Sequence, residues 1–189
     1  MGDRNPESPW NPASSLNIAP KEYEKQVVDW LRRSGSILED FNVQHLKLLE
    51  GPSGDYEFDA VASFTILRGA KVIVVVECKR YSKPVERDHM LTLWAKKEDV
   101  NAHKAMMFAT CGFQSGALKY ASVKGIATVT FVEGSFLYKT RAMGVSSAPP
   151  PWAEMPRYSG IMLRAEKNSI RSSIIKEGHL DALEGWLSS

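Results

Sequence analysis

Cysteine is scarce in this 189-residue chain: Cys78 and Cys111 are the only two. Their separation suits neither a zinc cluster nor a disulfide framework, so both are expected as reduced thiols packed in the core. No stretch approaches the roughly 18 apolar residues in a row that a membrane span needs. The opening MGDRNPESPW also lacks the apolar segment of a secretory signal. A soluble, cytoplasmic protein with no membrane partner is expected. Histidine is sparse too: His45, His89, His103 and His179 show no metal-ligand spacing, and each is expected to be structural or exposed. Net charge is only +2. What remains is ordinary, with 43% hydrophobic and 24% charged residues, enough for a real core, so neither wholesale disorder nor a fibrous repeat fits.

The small net charge hides an uneven distribution. Residues 1–70 carry 7 Lys+Arg against 11 Asp+Glu, whereas residues 71–124 carry 10 against 5. A basic middle after an acidic first part is what a phosphate-binding surface beside a carboxylate site looks like, although solvated faces give the same signal more often.

Length leaves room for one domain of about 150 residues and an appendage. Residues 1–19, rich in Asn, Pro and Ser, read as a flexible tail, and a domain is expected over 20–141. Tyr23, Val27, Trp30 and Leu31 recur at helical spacing between Pro20 and Gly35. A strand at Phe41–Leu48 ends in the turn-rich GPSGD. Two extended runs follow, Glu57–Leu67 and Val72–Arg80, with Arg68, Gly69 and Ala70 closing a hairpin. VIVVVECK is almost all β-branched at first, which predicts a central strand covered on both faces. A helix after Pro84, a short strand at Ala105–Thr110, a helix at Gln114–Lys124 and a strand at Ile126–Val132 complete the series. The order α-β-β-β-α-β-α-β predicts an α/β fold: a mixed sheet with helices on both faces. SSAPPPW marks a linker over 142–158, and 159–189 is a C-terminal extension expected to add a strand and a helix.

Glu77 and Lys79 lie two apart on a strand and share a face, with Cys78 pointing the other way. Asp59 lies on the strand that the hairpin folds back against them. Two carboxylates beside a lysine suit a hard cation such as Mg²⁺, with the lysine placing a water for attack on a phosphodiester. A surface ion-pair cluster explains the same three side chains equally well. If Leu67 faces Lys71, Asp59 falls opposite Lys79 with Glu77 one pair along, and Asp55 lies roughly 13 Å farther along the strand, too far for direct coordination.

Several ordered pieces resemble the PD-(D/E)xK restriction-endonuclease-like superfamily, and within it the Mrr-type catalytic domain. Glu22-Tyr23-Glu24 resembles the family's aromatic-Glu motif, GPSGDYEFD at 51–59 its glycine-rich loop ending in the metal-binding Asp, and VECKRY at 76–81 its E-x-K strand. FATCGFQSGALKYA at 108–121 is similar to the strand-turn-helix that follows. The resemblance covers residues 20–135. It implies that Asp59 and Glu77 bind Mg²⁺, with Mn²⁺ as substitute, that Lys79 assists the attacking water, and that Glu24 adds or holds a ligand.

The implied activity is a Mg²⁺-dependent DNA endonuclease of bacterial restriction or phage defence. A Holliday-junction resolvase and a non-cutting nucleic-acid-binding or assembly module are its rivals. Arg80, Lys83, Arg87, Lys96, Lys97, Lys119 and Lys124 are candidates for a DNA surface. Gln114 and Ser115 are candidate phosphate donors at a helix start, where an ordinary cap is the commoner role. Double-stranded DNA is the expected partner, with a homodimer or a separate DNA-reading subunit as further candidates, since no DNA-reading domain is recognisable. Trp10, Trp152 and Trp186 read as packing residues.

Overall fold

A computed structural model describes residues 18–67, 69–133, 157–175 and 181–187. The expected tail over 1–17, Arg68, the linker up to residue 156, Trp10, Trp152 and His179 lie outside the described residues.

The first helix, α1 (Pro20–Ser34), starts on a proline whose missing N–H costs nothing in a first turn. Glu22 near its start and Arg32 and Arg33 near its end complement the helix dipole. Tyr23, Val27, Val28, Trp30 and Leu31 make its buried face. Gly35 follows with φ −86°, an ordinary right-handed conformation. Glycine is needed there for room, because a Cβ would run into the Phe41 ring.

The chain continues as β1 (Asn42–Gly51), β2 (Gly54–Ile66), β3 (Ala70–Lys79), α2 (Arg87–Asp99), β4 (Lys104–Ala109), α3 (Ser115–Lys124) and β5 (Ile126–Glu133), then β6 (Tyr158–Ala165), β7 (Ile170–Ile175) and α4 (Asp181–Leu187). All seven strands form one sheet in sequence order. The pairs β3–β4 and β4–β5 are parallel and the other four antiparallel. Two successive right-handed crossovers that advance in one direction must put α2 and α3 on the same face. Met90, Leu93, Ala117, Leu118 and Ala121 accordingly pack with Val75, Met107 and Val132, whereas Tyr23, Trp30, Leu183 and Trp186 pack with Val76, Phe108 and Phe131 on the other face. Successive valines of β3 thus serve both cores, which is why the strand is apolar without alternation.

Trp30 is the centre of the α1 face. Its ring meets Phe108 edge-on at 5.7 Å and Phe131 at 6.1 Å. Gly160 on β6 leaves it space, since a Cβ there would come 2.9 Å from Val129 Cγ1 and 3.2 Å from the Trp30 ring.

Three sequence expectations need correction. The C-terminal extension adds two strands and a helix, not one of each, and β6 and β7 lengthen the same sheet while Leu183 and Trp186 enter its core. The loop before Asp59 is short: Gly51 pairs with Gly54, so Pro52 and Ser53 alone turn the chain and Asp59 lies within β2. The β2–β3 hairpin is closed by residues 67–69, with Ile66 opposite Ala70. The register is therefore shifted by two from the expected one. The even shift keeps faces unchanged and makes Glu77, not Lys79, the continuation opposite Asp59.

Candidate active site

Asp59 sits at a break in the pleat. On β1, Leu46 adopts φ +48°, a left-handed conformation that costs a branched residue about 1–2 kcal/mol. The ladder keeps register on either side, His45 with Ala60 and Lys47 with Phe58, but the pair between them is missing. Ala60 packs in the α1 core and Phe58 in the α2 core, although residues two apart on a regular strand share a face. The alternation therefore reverses at Asp59. Asp55 and Glu57, which parity alone would group with Asp59, are exposed.

The end of β3 faces this kink. The Cys78 amide donates to Asp59 Oδ2 at 2.6 Å. Beside it, Lys79 Nζ donates to Glu77 Oε2 and Lys96 Nζ, arriving from α2, donates to Glu77 Oε1, each at 2.9 Å. Glu24 on α1 lies behind, its Oε2 3.3 Å from His45 Nε2. Burial pushes the Asp59 carboxyl up to about 6; the Cys78 amide and Lys79 pull against this, while Glu77 and Glu24 add to it. Burial alone would lower the Lys79 pKa, but the Glu77 charge and hydrogen bond, helped by Asp59 and Tyr81, carry it above the ordinary lysine value. Lys79 is thus a held cation. Cys78, kept a neutral thiol first by burial and then by the neighbouring acids, packs against the α1 core.

The candidate residues separate into those the fold gathers and those it does not. Asp59, Glu77 and Lys79 come together, with Glu24 within electrostatic reach. Lys96 belongs to this cluster through its bond to Glu77, so it is no free surface cation. The parallel pair Lys79↔Ala109 brings the ends of β3 and β4, and hence the start of α3, to the same end of the sheet. Lys83 and Ser115 are exposed at that end. Arg80 Nε is turned to the Ile18 carbonyl at 2.7 Å, Arg87 stacks on the Tyr120 ring, and the Gln114 amide donates to Glu86 at 3.4 Å. Gln114 is the N-cap of α3 but makes no side-chain cap, and Ser115 follows it inside the helix. Lys119 lies exposed on the second turn of α3.

Lys124 lies at the far end, over the Trp94 ring, and Lys97 pairs with Glu98 close to Lys104. One continuous basic surface over all these residues is therefore ruled out by topology. The sequence reading missed two members of the site, Lys96 as a partner of Glu77 and His45 as the partner of Glu24. Neither has a local signal, because each meets its acid only across a tertiary contact.

Among the described residues no three His, Cys, Asp or Glu side chains form a ready-made metal cluster. The donor chemistry nevertheless fits a hard divalent cation: the groups at the kink are carboxylate oxygens, and Asp59 is crowded by two further acids that Lys79 compensates only in part.

The sequence matches the profile of the Mrr_cat family, described as Restriction endonuclease, over residues 15–139. Among curated proteins nothing matches. One solved structure, titled "Crystal Structure of Protein of Unknown Function AF1548", is similar at 22% identity with a TM-score of 0.46; the match covers 56% of each chain, so this chain spans little more than half of its length.

Proposed function

Because the chain belongs to the Mrr_cat restriction endonuclease family, a nuclease type acting on DNA, we propose that it is a divalent-metal-dependent endonuclease hydrolysing phosphodiester bonds of double-stranded DNA, with Mg²⁺ as its cation, in a restriction or phage-defence role. The observation that carries the reading is the convergence of Asp59, Glu77 and Lys79 at the pleat reversal, with the Cys78 amide and two ammonium groups fixing both carboxylates. The defence role rests on the family alone.

Asp59 and Glu77 are the residues that would hold the cation, with Glu24, tied to His45, as a further ligand or support. When bound, a divalent cation supplies charge neutralisation at the scissile phosphate and a more acidic water. Lys79, protonated and anchored two residues along the strand, orients the attacking water or steadies a phosphate oxygen by donating from Nζ. Exposed Lys83 and Ser115 at the same end of the sheet meet the flanking phosphates, and the start of α3 adds its unpaired N–H groups. Among the described residues no helix is long and apolar enough to cross a membrane.

The test is nicking of supercoiled plasmid, methylated and unmethylated side by side. Cleavage is expected with Mg²⁺ or Mn²⁺, and Ca²⁺ is expected to support binding with little cutting, because it tolerates looser geometry. Lys79→Met should slow cutting by roughly 10²–10³-fold, the usual loss when one charge-stabilising donor is removed. Undiminished cleavage in excess EDTA would overturn the metal-dependent reading.

A further inference from the structure

Glu77 is the one buried acidic side chain among the described residues, at 7% exposure. A buried carboxylate needs a cation, and this one has two, one on each oxygen and each at 2.9 Å. The pair is unequal. Lys79 sits on the same strand and lies within reach of Asp59 as well, so it is held from two sides. Lys96 comes from α2, and its ion pair is with Glu77 alone; its other partner is the Phe58 ring at 5.7 Å, a contact that holds an ammonium weakly. Both oxygens of Glu77 are thus occupied before any metal arrives. A Mg²⁺ ion must approach a carboxylate oxygen to about 2.0–2.1 Å, and an ammonium bonded to the same oxygen would be crowded against it. Like charges that close repel, so a cation on Glu77 weakens its hold on the lysines, and Lys96 is the less firmly held of the two.

We infer that Lys96 is an exchangeable counter-ion: it occupies Glu77 in the metal-free protein, is displaced when a divalent cation takes that carboxylate, and then carries its ammonium to the DNA backbone. An open groove lined by Ser53, Tyr56, Thr92, Trp94, Glu98 and Asp99 adjoins Lys96, so the displaced side chain can swing along the two ring surfaces with the Glu98 and Asp99 carboxylates beside its path. Metal binding and DNA binding are thereby coupled, and the coupling is reciprocal. Lys96 contributes to binding, and the cutting step itself belongs to Lys79 and the carboxylates. This inference rests on the metal-dependent nuclease reading.

The experiment measures Mg²⁺ and Ca²⁺ affinity by calorimetry, and duplex-DNA affinity across a salt series with Ca²⁺ or with EDTA, for the full chain, Lys96→Met and Lys96→Arg. Lys96→Met should bind either metal at least about tenfold more tightly, within the range by which neighbours of a metal ligand alter affinity. In Ca²⁺ its salt slope should be smaller than that of the unaltered protein by about one phosphate contact, whereas in EDTA the two slopes should coincide. Lys96→Arg keeps the charge and should restore both behaviours, which separates displacement from damage to the fold. Unchanged or weaker metal binding by Lys96→Met, or an equal loss of DNA affinity with and without Ca²⁺, would overturn the inference. If the unaltered protein bound no divalent cation and cut no DNA, the nuclease reading itself would be at fault.

Discussion

Asp59→Asn is expected to lower cleavage by roughly 10²–10³-fold or more, the scale on which active sites lose charge-stabilising groups, and to make the metal-free protein more stable. The two effects have one cause. In the folded chain the Asp59 carboxyl is raised from 3.8 to about 6, chiefly by burial, so the folded state holds that proton more tightly than the unfolded state does. Its contribution to stability is therefore complete below pH 4 and is lost as pH rises through 6. Above that the ionised carboxylate costs the fold up to about 3 kcal/mol, and about 1–2 kcal/mol once its partial exposure is allowed for. Asparagine is neutral at every pH and keeps an oxygen to accept from the Cys78 amide. Urea unfolding in EDTA should show the variant more stable at pH 8 and no better than the original at pH 4. A variant that cut normally, or that was less stable at pH 8, would mean that Asp59 is a plain structural residue. Asp55→Asn, on an exposed residue beyond the pleat reversal, should retain measurable activity.

The second large effect is structural. Trp30→Ala should cost about 3–5 kcal/mol, the range for emptying a fully buried aromatic site, and lower the melting temperature by roughly 10 °C or more. Trp30 touches Phe108 and Phe131 and closes over Gly160, so its loss leaves a hole where three strands and α1 meet. The backbone of Gly160 has no side chain with which to refill it. The loss should extend to the site, because α1 is also what holds Glu24 near Asp59. Thermal melts in EDTA are the check, and a shift of only a few degrees would mean that α1 repacks freely.

Much of the fold was legible because α1, β3 and the hairpin are specified locally. Tyr23, Val27, Trp30 and Leu31 have helical period, and the valine run of β3 is unmistakable. Glu77 and Lys79 could be paired from parity alone. Asp59 was reached from the hairpin and again from the resemblance, but the geometric argument for it assumed a regular strand and a hairpin one residue out of place. Nothing in the sequence announces that Leu46, an exposed residue, takes a left-handed conformation. Lys96 was legible only as one lysine among many on a helix, and the length of its side chain let it reach a strand that periodicity could not connect to it. Gly35 was placed correctly at the end of α1, although its φ is ordinary and its need for space comes from Phe41, which no local pattern shows.

The lengthened sheet has a bearing on how the chain folds as it is made. Tyr158, Met162, Ile175, Leu183 and Trp186 belong to the same core as Val76, on the site strand, and Phe108, on the strand beside it, and the Trp186 indole N–H donates to the Gly125 carbonyl at 2.8 Å while Lys104 donates to the Trp186 carbonyl at 3.1 Å. Until these residues have left the ribosome, β5 is an open strand edge and Phe131 lacks the stacked Tyr158 ring, which leaves a template for pairing with other chains. The candidate catalytic groups are all synthesised before residue 80, yet the platform that fixes them is finished only about a hundred residues later. A nascent chain therefore passes through a long interval in which it already carries its charged cluster but has no rigid frame in which to use it.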